Sequence, residues 1–347
     1  MTSDPLSRYL TLRSAKLDRR VRLQVMQPNE VLDLGVRVYQ SVGWMFLRAT
    51  VGSSLFCFAA LLFWSNYVFP SFIYTQNPNS TSAQMIEVVV AMALAIFVAG
   101  PLFLLGVSYS TTIVTYLASD FILGNAPSLE SAVEKTRTKV FQILVLSLRE
   151  ILIACMGLAI GIALLLLSGY LGNTTSETDT SAAFTLLLGI LGVSVGIIFF
   201  IVVVCRHALA PVAMALENLR AGDAAKRSVA LLKAYGNIQG GGSAIFAGMI
   251  VCLIVLLFMS IGLYSSLDVI GYPDSIRNAI SSWPYAGVIV TMLGYLPLFA
   301  MIWTVVPLWA SMLTIIYYSR RIRLEGYDVE ALAEDVWRAD RANRFEL

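Results

Sequence analysis

The sequence predicts an all-α integral membrane protein with six transmembrane helices. Of its 347 residues, 58% are hydrophobic and only 13% are charged, whereas soluble domains are about 25% charged. Apolar stretches also recur that are long enough to cross a hydrocarbon core, which takes about 20 helical residues. Strands of a β-barrel would alternate in polarity over about ten residues, but residues 197–204 are continuously apolar. The six predicted spans lie near residues 44–69, 86–110, 147–170, 182–206, 243–267 and 286–316.

Lysine and arginine are concentrated in four segments, and this bias predicts the orientation. Positively charged residues resist translocation, so these segments are expected on the cytoplasmic side, with both termini inside. The alternate loops near 70–85, 171–182 and 268–284 contain Arg277 as their only Lys or Arg, which predicts that they face outward. The four basic segments are a retained tail over residues 1–27, the connections 120–140 and 206–240, and the C-terminal tail from residue 320 onward.

An internal repeat of about 100 residues recurs three times. The units cover about 28–123, 124–221 and 222–325, and each is predicted to begin with a short amphipathic helix on the cytoplasmic side that leads into a transmembrane hairpin. A fourth amphipathic helix is predicted over residues 326–347. Such helices either lie among anionic headgroups or pack over the end of the bundle, and the sequence leaves both interpretations open.

Residues at the unit boundaries predict where helices begin and end. Gly124, Gly222 and Gly326 are expected to end the preceding helices, because glycine readily adopts the left-handed conformation. Four residues whose side-chain oxygen can accept a free backbone N–H are expected as N-caps of the short helices. These residues are Asn29, Ser128, Asp223 and Asp328.

The second, fourth and sixth helices are predicted to extend beyond the membrane into the cytoplasm. The second continues through Asp120, the fourth through His207 to Glu217, and the sixth through Arg323. Prolines interrupt these helices and are expected either to curve the bundle or to provide a gating hinge, because proline removes a backbone donor and crowds the preceding turn. These prolines are Pro101, Pro211, Pro297 and Pro307.

The sequence offers little for catalysis or metal binding, and we expect no enzymatic activity and no cofactor. His207 is the only histidine, and its neighbours supply no second metal ligand at helical spacing. Ser194 lies in a Gly-x-Ser-x-Gly pattern, but within a predicted span, which favours close helix packing over a nucleophile elbow. The four cysteines all lie in apolar segments, so no disulfide framework is predicted. These cysteines are Cys57, Cys155, Cys205 and Cys252.

Arg149 and Glu150 form an ionisable pair at the edge of a predicted span. Charged residues within a span are costly and often functional, but an arginine near the end of a span can extend its side chain to the interface. The uninterrupted apolar run starts at Ile151, which places the pair near the cytoplasmic boundary. Two interpretations stay open, an interfacial anchor and a polar cavity.

Charged residues near the cytoplasmic boundary are the candidate contacts for lipid or for a protein partner. With 24 Lys and Arg against 22 Asp and Glu, the net charge is +2, which is too small for a nucleic-acid surface. Anionic membrane lipids, a protein partner or a second copy of the chain are expected instead. The candidate residues are Arg149, Glu150, Arg206, Lys226, Arg227, Lys233, Arg320, Arg321 and Arg323.

Two segments resemble a bacterial family of multi-pass membrane proteins. One combines Ala210-Pro211-Val212-Ala213 and Glu217-Asn218-Leu219 with the run Ala224-Ala225-Lys226-Arg227-Ser228-Val229-Ala230-Leu231-Leu232-Lys233. The other is residues 317–330, Tyr-Tyr-Ser-Arg-Arg-Ile-Arg-Leu-Glu-Gly-Tyr-Asp-Val-Glu. The family is similar to the membrane domain that precedes the catalytic domain of some glycerophosphodiester phosphodiesterases, and the resemblance covers most of residues 28–335.

This resemblance implies a bacterial inner-membrane domain that serves as a localising, lipid-contacting or partner-binding platform. The chain continues for only about twenty residues after Gly326, and it lacks the histidines and acidic metal ligands that such an enzyme would need. The hydrolase activity is therefore not expected here.

The expected function is that of a non-catalytic scaffold, accessory subunit or lipid-contacting platform. The alternative is a transporter or channel for a small solute or lipid, with its path between repeats and with Arg149 and Glu150 near the route. Three similar units favour a pseudo-threefold arrangement, whereas many transporters use paired inverted repeats. Small residues along the spans allow close helix contacts within the chain or with another subunit.

Overall fold

The computed structural model describes residues 28–68, 90–91, 93–174, 180–233, 242–269 and 294–326. All regular elements within these residues are helical, which confirms the predicted class. A π-helical turn, Trp64–Val68, continues the first helix, and another, Ala95–Ala99, leads into the second. The α-helices are α1 (Pro28–Phe63), α2 (Gly100–Ile122), α3 (Leu129–Arg137), α4 (Val140–Thr174), α5 (Thr180–His207), α6 (Ala210–Leu216), α7 (Ala221–Leu232), α8 (Gly242–Val269) and α9 (Leu296–Glu325).

Five helical segments of the described chain are long and apolar enough to cross a membrane, which indicates a multi-pass membrane protein. The predicted span 147–170 lies inside α4, a continuous helix of 35 residues. The basic tail 1–27 lies outside the described residues. The helix that is predicted to follow Gly326, with Asp328 as its N-cap, also lies outside them. The five segments are Asn29–Tyr67, Phe97–Ile122, Leu187–Leu216, Gly242–Ser266 and Leu296–Glu325.

The helix ends on the predicted cytoplasmic side pack around one apolar core. We call this region the packed end and define it as residues 28–46, 111–147, 206–233 and 308–326. Side chains from four helices are fully buried there, namely Phe46 of α1, Leu117 of α2, Leu231 of α7 and Tyr317 of α9. The short helix α7 directs its apolar face into this core. The short helices were expected either to lie among headgroups or to pack over the end of the bundle, and the packing interpretation applies to α7.

The outer hairpin, residues 151–174 and 180–205, is built differently. Here α4 and α5 run antiparallel and pack mainly on each other. A Cβ atom on Gly161 would lie 2.5 Å from the backbone carbon of Gly192, so the two backbones are in direct contact. Large apolar side chains point away from this contact, and Met156 and Ile160 are 66% and 65% exposed. Only glycine permits such an approach between two helices.

Hydroxyl groups connect the central helices α1, α2 and α9. Ser53 and Ser110 share a hydrogen bond of 2.6 Å, and Thr115 and Thr314 share one of 3.2 Å. Hydrogen bonds between hydroxyl groups of neighbouring helices hold helix pairs together. Two further bonds join Ser119 to Tyr318 at 2.6 Å and Ser147 to Ser108 at 3.4 Å.

The predicted helix boundaries are partly confirmed. Ser128 caps α3 by accepting a hydrogen bond from the backbone N–H of Ser131 at 3.4 Å. Gly124 and Gly326 have φ angles of 74° and 65°, so both adopt the predicted left-handed conformation after a helix.

The prediction for the third unit is wrong in two details. Gly222 lies inside α7, and the left-handed residue before this helix is Asn218, with a φ of 54°. Asp223 lies in the first turn of α7, whose N-cap is Arg220. Asparagine tolerates the left-handed conformation, and a carboxylate in the first turn interacts well with the helix dipole, so both residues suit these positions.

The first unit has no separate short helix, because α1 runs without a break from Pro28 to Phe63. Asn29 therefore lies in the first turn of a helix that extends 36 residues, and no helix end separates the predicted short helix from the predicted span. No proline follows Pro28 within this stretch, so nothing in the backbone forces an interruption.

The fourth predicted helix is not continuous. It ends at His207, and α6 begins at Ala210 with Pro211 in its first turn, where proline needs no donor. The hydroxyl of Ser228 on α7 bridges this break, since it donates to the Arg206 carbonyl at 2.9 Å and accepts from the Leu209 N–H at 3.2 Å. Pro101 and Pro297 also lie in first turns, whereas Pro307 lies inside α9.

Candidate functional site

A charged network at the packed end joins α7, the loop that precedes it and the end of α9. Arg227 on α7 donates from Nε to both carboxylate oxygens of Glu217 at 2.9 and 3.0 Å, and from Nη2 to Glu325 at 2.7 Å. The hydrogen bond with Glu325, followed by that with Glu217, raises the pKa of the Arg227 guanidinium. Bidentate arginine–carboxylate pairs are among the strongest charge-assisted contacts in proteins.

The network continues along α9. Tyr317 donates its hydroxyl hydrogen to Glu217 at 2.6 Å, and Arg321 donates to Glu325 at 3.2 Å. The last two turns of α9 are thus connected to the loop between α6 and α7. The sequence predicts Arg227 and Arg321 as contacts for lipid or a partner, but both guanidinium groups bind carboxylates within the chain.

Lys139 holds the C-terminal end of α6. Its Nζ donates to the carbonyls of Met214 at 2.7 Å and Ala215 at 3.3 Å, and Tyr116 donates to the Ala215 carbonyl at 3.1 Å. Burial lowers the pKa of the Lys139 ammonium. A cation at a helix C-terminus satisfies carbonyls that have no partner within the helix. The sequence shows Lys139 only as one cation of a basic segment and does not reveal this contact.

Residues 206–233 form a connection between α5 and α8 that we call the basic cap. It holds five Lys or Arg and two Asp or Glu. Both acidic residues are paired, Glu217 with Arg227 and Asp223 with Lys226, the latter at 3.9 Å on the surface. The side chains of Arg206, Arg220 and Lys233 are exposed and have no hydrogen-bond or salt-bridge partner within the described residues. The surplus positive charge of the cap therefore faces outward.

No family model, curated protein or solved structure matches this chain. Any function assigned to it therefore rests on the residues and contacts of the chain itself.

Arg149 and Glu150 lie where α4 meets the start of α7. Arg149 donates from Nη1 to the carbonyl of Gly222 at 3.4 Å. Glu150 is half-buried, and its Oε1 atom is buried with no hydrogen-bond partner in the described part of the chain.

The predicted contacts on α9 divide between the interior and the surface. Arg320 is buried, with 6% of its area exposed, whereas Arg323 is half-buried in the last turn. Arg227 and Arg321 are half-buried, and their guanidinium groups bind carboxylates of the packed end. The predicted contacts that remain at the surface are Arg206, Lys226 and Lys233, with Arg149, Glu150 and Arg323 at its edge.

The remaining candidates for chemistry have local roles. His207 is the last residue of α5, and its Nδ1 is 2.9 Å from the Val203 carbonyl. Ser194 donates to the Ile190 carbonyl of its own helix at 2.8 Å. Among the described residues, no three His, Cys, Asp or Glu side chains come together as a metal site would require.

Proposed function

We propose that this protein is a non-catalytic platform of a bacterial inner membrane whose basic cap contacts anionic lipid headgroups. In this proposal the chain crosses the membrane six times, in three repeated units, with both termini in the cytoplasm. The roles of scaffold and accessory subunit belong to the same proposal, because a platform of this kind can hold a protein partner beside the lipid.

The observation that carries the proposal is the unpaired charge of the basic cap. The side chains of Arg206, Arg220 and Lys233 are exposed, while Glu217 and Asp223 are already paired within the cap. Each Lys or Arg near an anionic membrane surface contributes about 1 kcal/mol of attraction. Three such cations on one connection are therefore enough to select anionic headgroups.

Helix lengths and order support the proposed topology. At about 1.5 Å per residue, the 35 residues of α4 are long enough for one further span and for an extension into the packed end. In the second and third units, a short helix (α3 or α7) precedes a long one (α4 or α8), as the repeat predicts. Cations in the connection between α5 and α8 favour a cytoplasmic position for this end.

The lipid composition around the purified protein tests the proposal. The protein is extracted in native-membrane nanodiscs, and its lipids are compared with those of the whole membrane by mass spectrometry. We expect enrichment of anionic phospholipid around the wild type and loss of this enrichment in the triple variant Arg220→Gln, Lys226→Gln, Lys233→Gln. This variant leaves Arg206 in place, because Arg206 lies beside the break between α5 and α6 that Ser228 bridges.

The matched control is Arg37→Gln, since Arg37 is an exposed cation of α1 that pairs with Asp33 at 2.8 Å. This variant should keep the enrichment. A wild type whose lipids match the bulk membrane at low and high salt would contradict the proposed function. A stoichiometric protein that copurifies through the same three substituted cations would assign the cap to a protein partner instead.

A transporter or channel is the second candidate, and one observation favours it. The two buried side-chain oxygens without a hydrogen-bond partner in the described residues are Ser54 Oγ and Glu150 Oε1, and a solute path through a bundle needs free polar groups of this kind. Arg149→Ala and Glu150→Ala should then abolish substrate-dependent flux in proteoliposomes, and full flux in both variants would exclude this candidate.

A further inference from the structure

The turn after α9 repeats the turn that precedes each short helix of the packed end. Within the described residues, a positive φ occurs only at Gly124, Asn218 and Gly326, with angles of 74°, 54° and 65°. Gly124 precedes α3 and Asn218 precedes α7. Both short helices fold back onto neighbouring helices, α3 onto α2 and α7 onto α6 and α9. The amphipathic helix that the sequence predicts after Gly326 is therefore expected to fold back onto the packed end as well.

Residues 327–337, which we call the acidic segment, carry charge opposite to that of the basic cap. The acidic segment contains four Asp or Glu and no Lys or Arg. The basic cap contains five Lys or Arg and two Asp or Glu, and both of these carboxylates are already paired within it. Complementary charge guides two surfaces into contact and fixes their register, so the acidic segment suits the surface of the basic cap.

The chain enters the acidic segment at the basic cap itself. Glu325, the residue before Gly326, accepts a hydrogen bond from Arg227 of α7 at 2.7 Å. Arg227 lies between Arg220 and Lys233, the two capping residues of α7. At about 1.5 Å per residue, each of these exposed cations is about 10 Å from Arg227 along the helix. An extended chain covers that distance in about three residues, so the acidic segment is long enough to reach both cations.

The outer face of α7 is shaped to receive this segment. Lys226, Ala230 and Lys233 are exposed and lie on one face, since residues three, four and seven apart share a helix face. Ala230 is small, so a second helix can approach between the two lysines. The salt bridge of Lys226 within α7 is long, at 3.9 Å, and lies on the surface, where such pairs contribute little. Asp328 and Asp335 are spaced as Lys226 and Lys233 are, so both pairs can form at once.

We propose that the acidic segment lies over the basic cap and pairs with its exposed cations, above all with Lys226 and Lys233. The segment then occupies the surface that the proposed function assigns to anionic headgroups, and segment and lipid compete for the same cations. Because the segment is tethered to α9, its effective concentration at the cap is on the order of millimolar. Anionic lipid must exceed this competition to reach the cap. The competition rests on the proposed function, whereas the contact between segment and cap does not.

Zero-length cross-linking of the full chain tests the contact. A carbodiimide joins a lysine to a carboxylate only where the two meet, and peptide mass spectrometry locates the link. In nanodiscs of phosphatidylcholine alone, we expect Lys226 and Lys233 to link to carboxylates of the acidic segment. Lys135, an exposed lysine of the other short helix α3, is the internal control and should form no such link.

Three results of this experiment would overturn the proposal. The first is the absence of links from Lys226 and Lys233 to the acidic segment, and the second is an equal yield of links from Lys135. The third is a set of links found only between two copies of the chain, which would assign the cap to a second copy. In 1 M NaCl the yield should fall, since charges are then screened beyond about 3 Å, and an undiminished yield would contradict pairing by charge.

Removing charge from the segment tests the competition. Native mass spectrometry compares retention of phosphatidylglycerol with that of phosphatidylcholine of identical acyl chains. The triple variant Glu330→Gln, Glu334→Gln, Asp335→Asn should raise this preference about fivefold, as release of one cation to anionic lipid would give. The control Asp340→Asn, Glu346→Gln removes charge beyond the acidic segment and should match the wild type.

The outcomes separate the two proposals. An unchanged preference in the triple variant would overturn the competition. If neither the wild type nor the triple variant prefers the anionic lipid, the proposed function is contradicted, and the cross-links still report the contact. If the wild type prefers the anionic lipid but no cross-links form, only this inference is overturned.

Discussion

The packed end and the outer hairpin are stabilised by different interactions. In the packed end, side chains from several helices bury each other, and charged groups such as Arg227 and Glu217 are paired inside the protein. In the outer hairpin, two helices touch through Gly161 and Gly192, and their large side chains point outward. In the proposed topology lipid is the solvent for the hairpin, so apolar side chains there need no protein partner. In the proposed topology the packed end borders water and therefore needs a core.

The largest effect is expected where the hairpin backbones touch. In Gly161→Leu the new side chain would overlap the backbone of Gly192 and Val193, so α4 and α5 must separate, at a cost of about 3 kcal/mol in the free energy of unfolding. The measurement uses a protein in which Cys155, a buried cysteine of α4, is the only cysteine retained. The protein is heated, and the temperature at which Cys155 reacts with a fluorogenic maleimide is recorded.

The control for this substitution is Gly262→Leu on α8, where a Cβ atom meets nothing within 4 Å. It should leave the reaction of Cys155 unchanged. A second reporter, Cys57 between α1 and α2, should respond less to Gly161→Leu than Cys155 does. Equal shifts at both cysteines would mean that the hairpin unfolds together with the contact between α1 and α2.

A smaller effect is expected from the charged network. Arg227→Gln leaves the carboxylates of Glu217 and Glu325 without their shared donor. Removing one partner of a partly buried pair leaves the other charge uncompensated, so we expect the free energy of unfolding to fall by about 2 kcal/mol. The measurement is the midpoint of thermal unfolding. Lys226→Gln, the neighbouring exposed cation with 79% of its side chain accessible, should change stability by less than about 0.5 kcal/mol. Equal losses in the two variants would show that the network adds nothing beyond a surface charge.

The smallest effect is expected at the break between α5 and α6. Ser228→Ala removes both hydrogen bonds that bridge Arg206 and Leu209. Because these contacts are buried, we expect the free energy of unfolding to fall by about 1 kcal/mol. Hydrogen exchange of the Leu209 amide should become faster in this variant. Ser194→Ala, which removes an exposed hydroxyl bound only to its own helix, is the control. Unchanged exchange at Leu209 would contradict the bridging role of Ser228.

Local sequence signals predicted local structure well. Ser128 caps α3, and Gly124 adopts the left-handed conformation in the turn that follows α2. The end of α9 at Gly326 is likewise predicted from one residue type. Caps of this kind depend on a few neighbouring atoms, so the residue type is enough to predict them.

Contacts between distant segments were not predictable in the same way. Nothing near Ser228 in the sequence indicates that its hydroxyl replaces the helix bonds missing between Arg206 and Leu209. The pairing of Arg227 with Glu325 joins residues 98 positions apart, and nothing in the sequence near either residue indicates that they meet. One part of the network was visible in advance, because Arg321 and Glu325 are four residues apart on a helix.

The sequence by itself determined that the chain is helical, that it crosses a membrane and where most of its helices lie. These properties follow from the length and polarity of continuous stretches, since each helix satisfies its own backbone within lipid. Only the tertiary structure decided which cations are paired inside the protein, as Arg227 is, and which remain available, as Arg206 does. It also showed that Glu150 Oε1 lacks a donor among the described residues. Both depend on which side chains meet across helices, and the order of residues along the chain does not specify those distances.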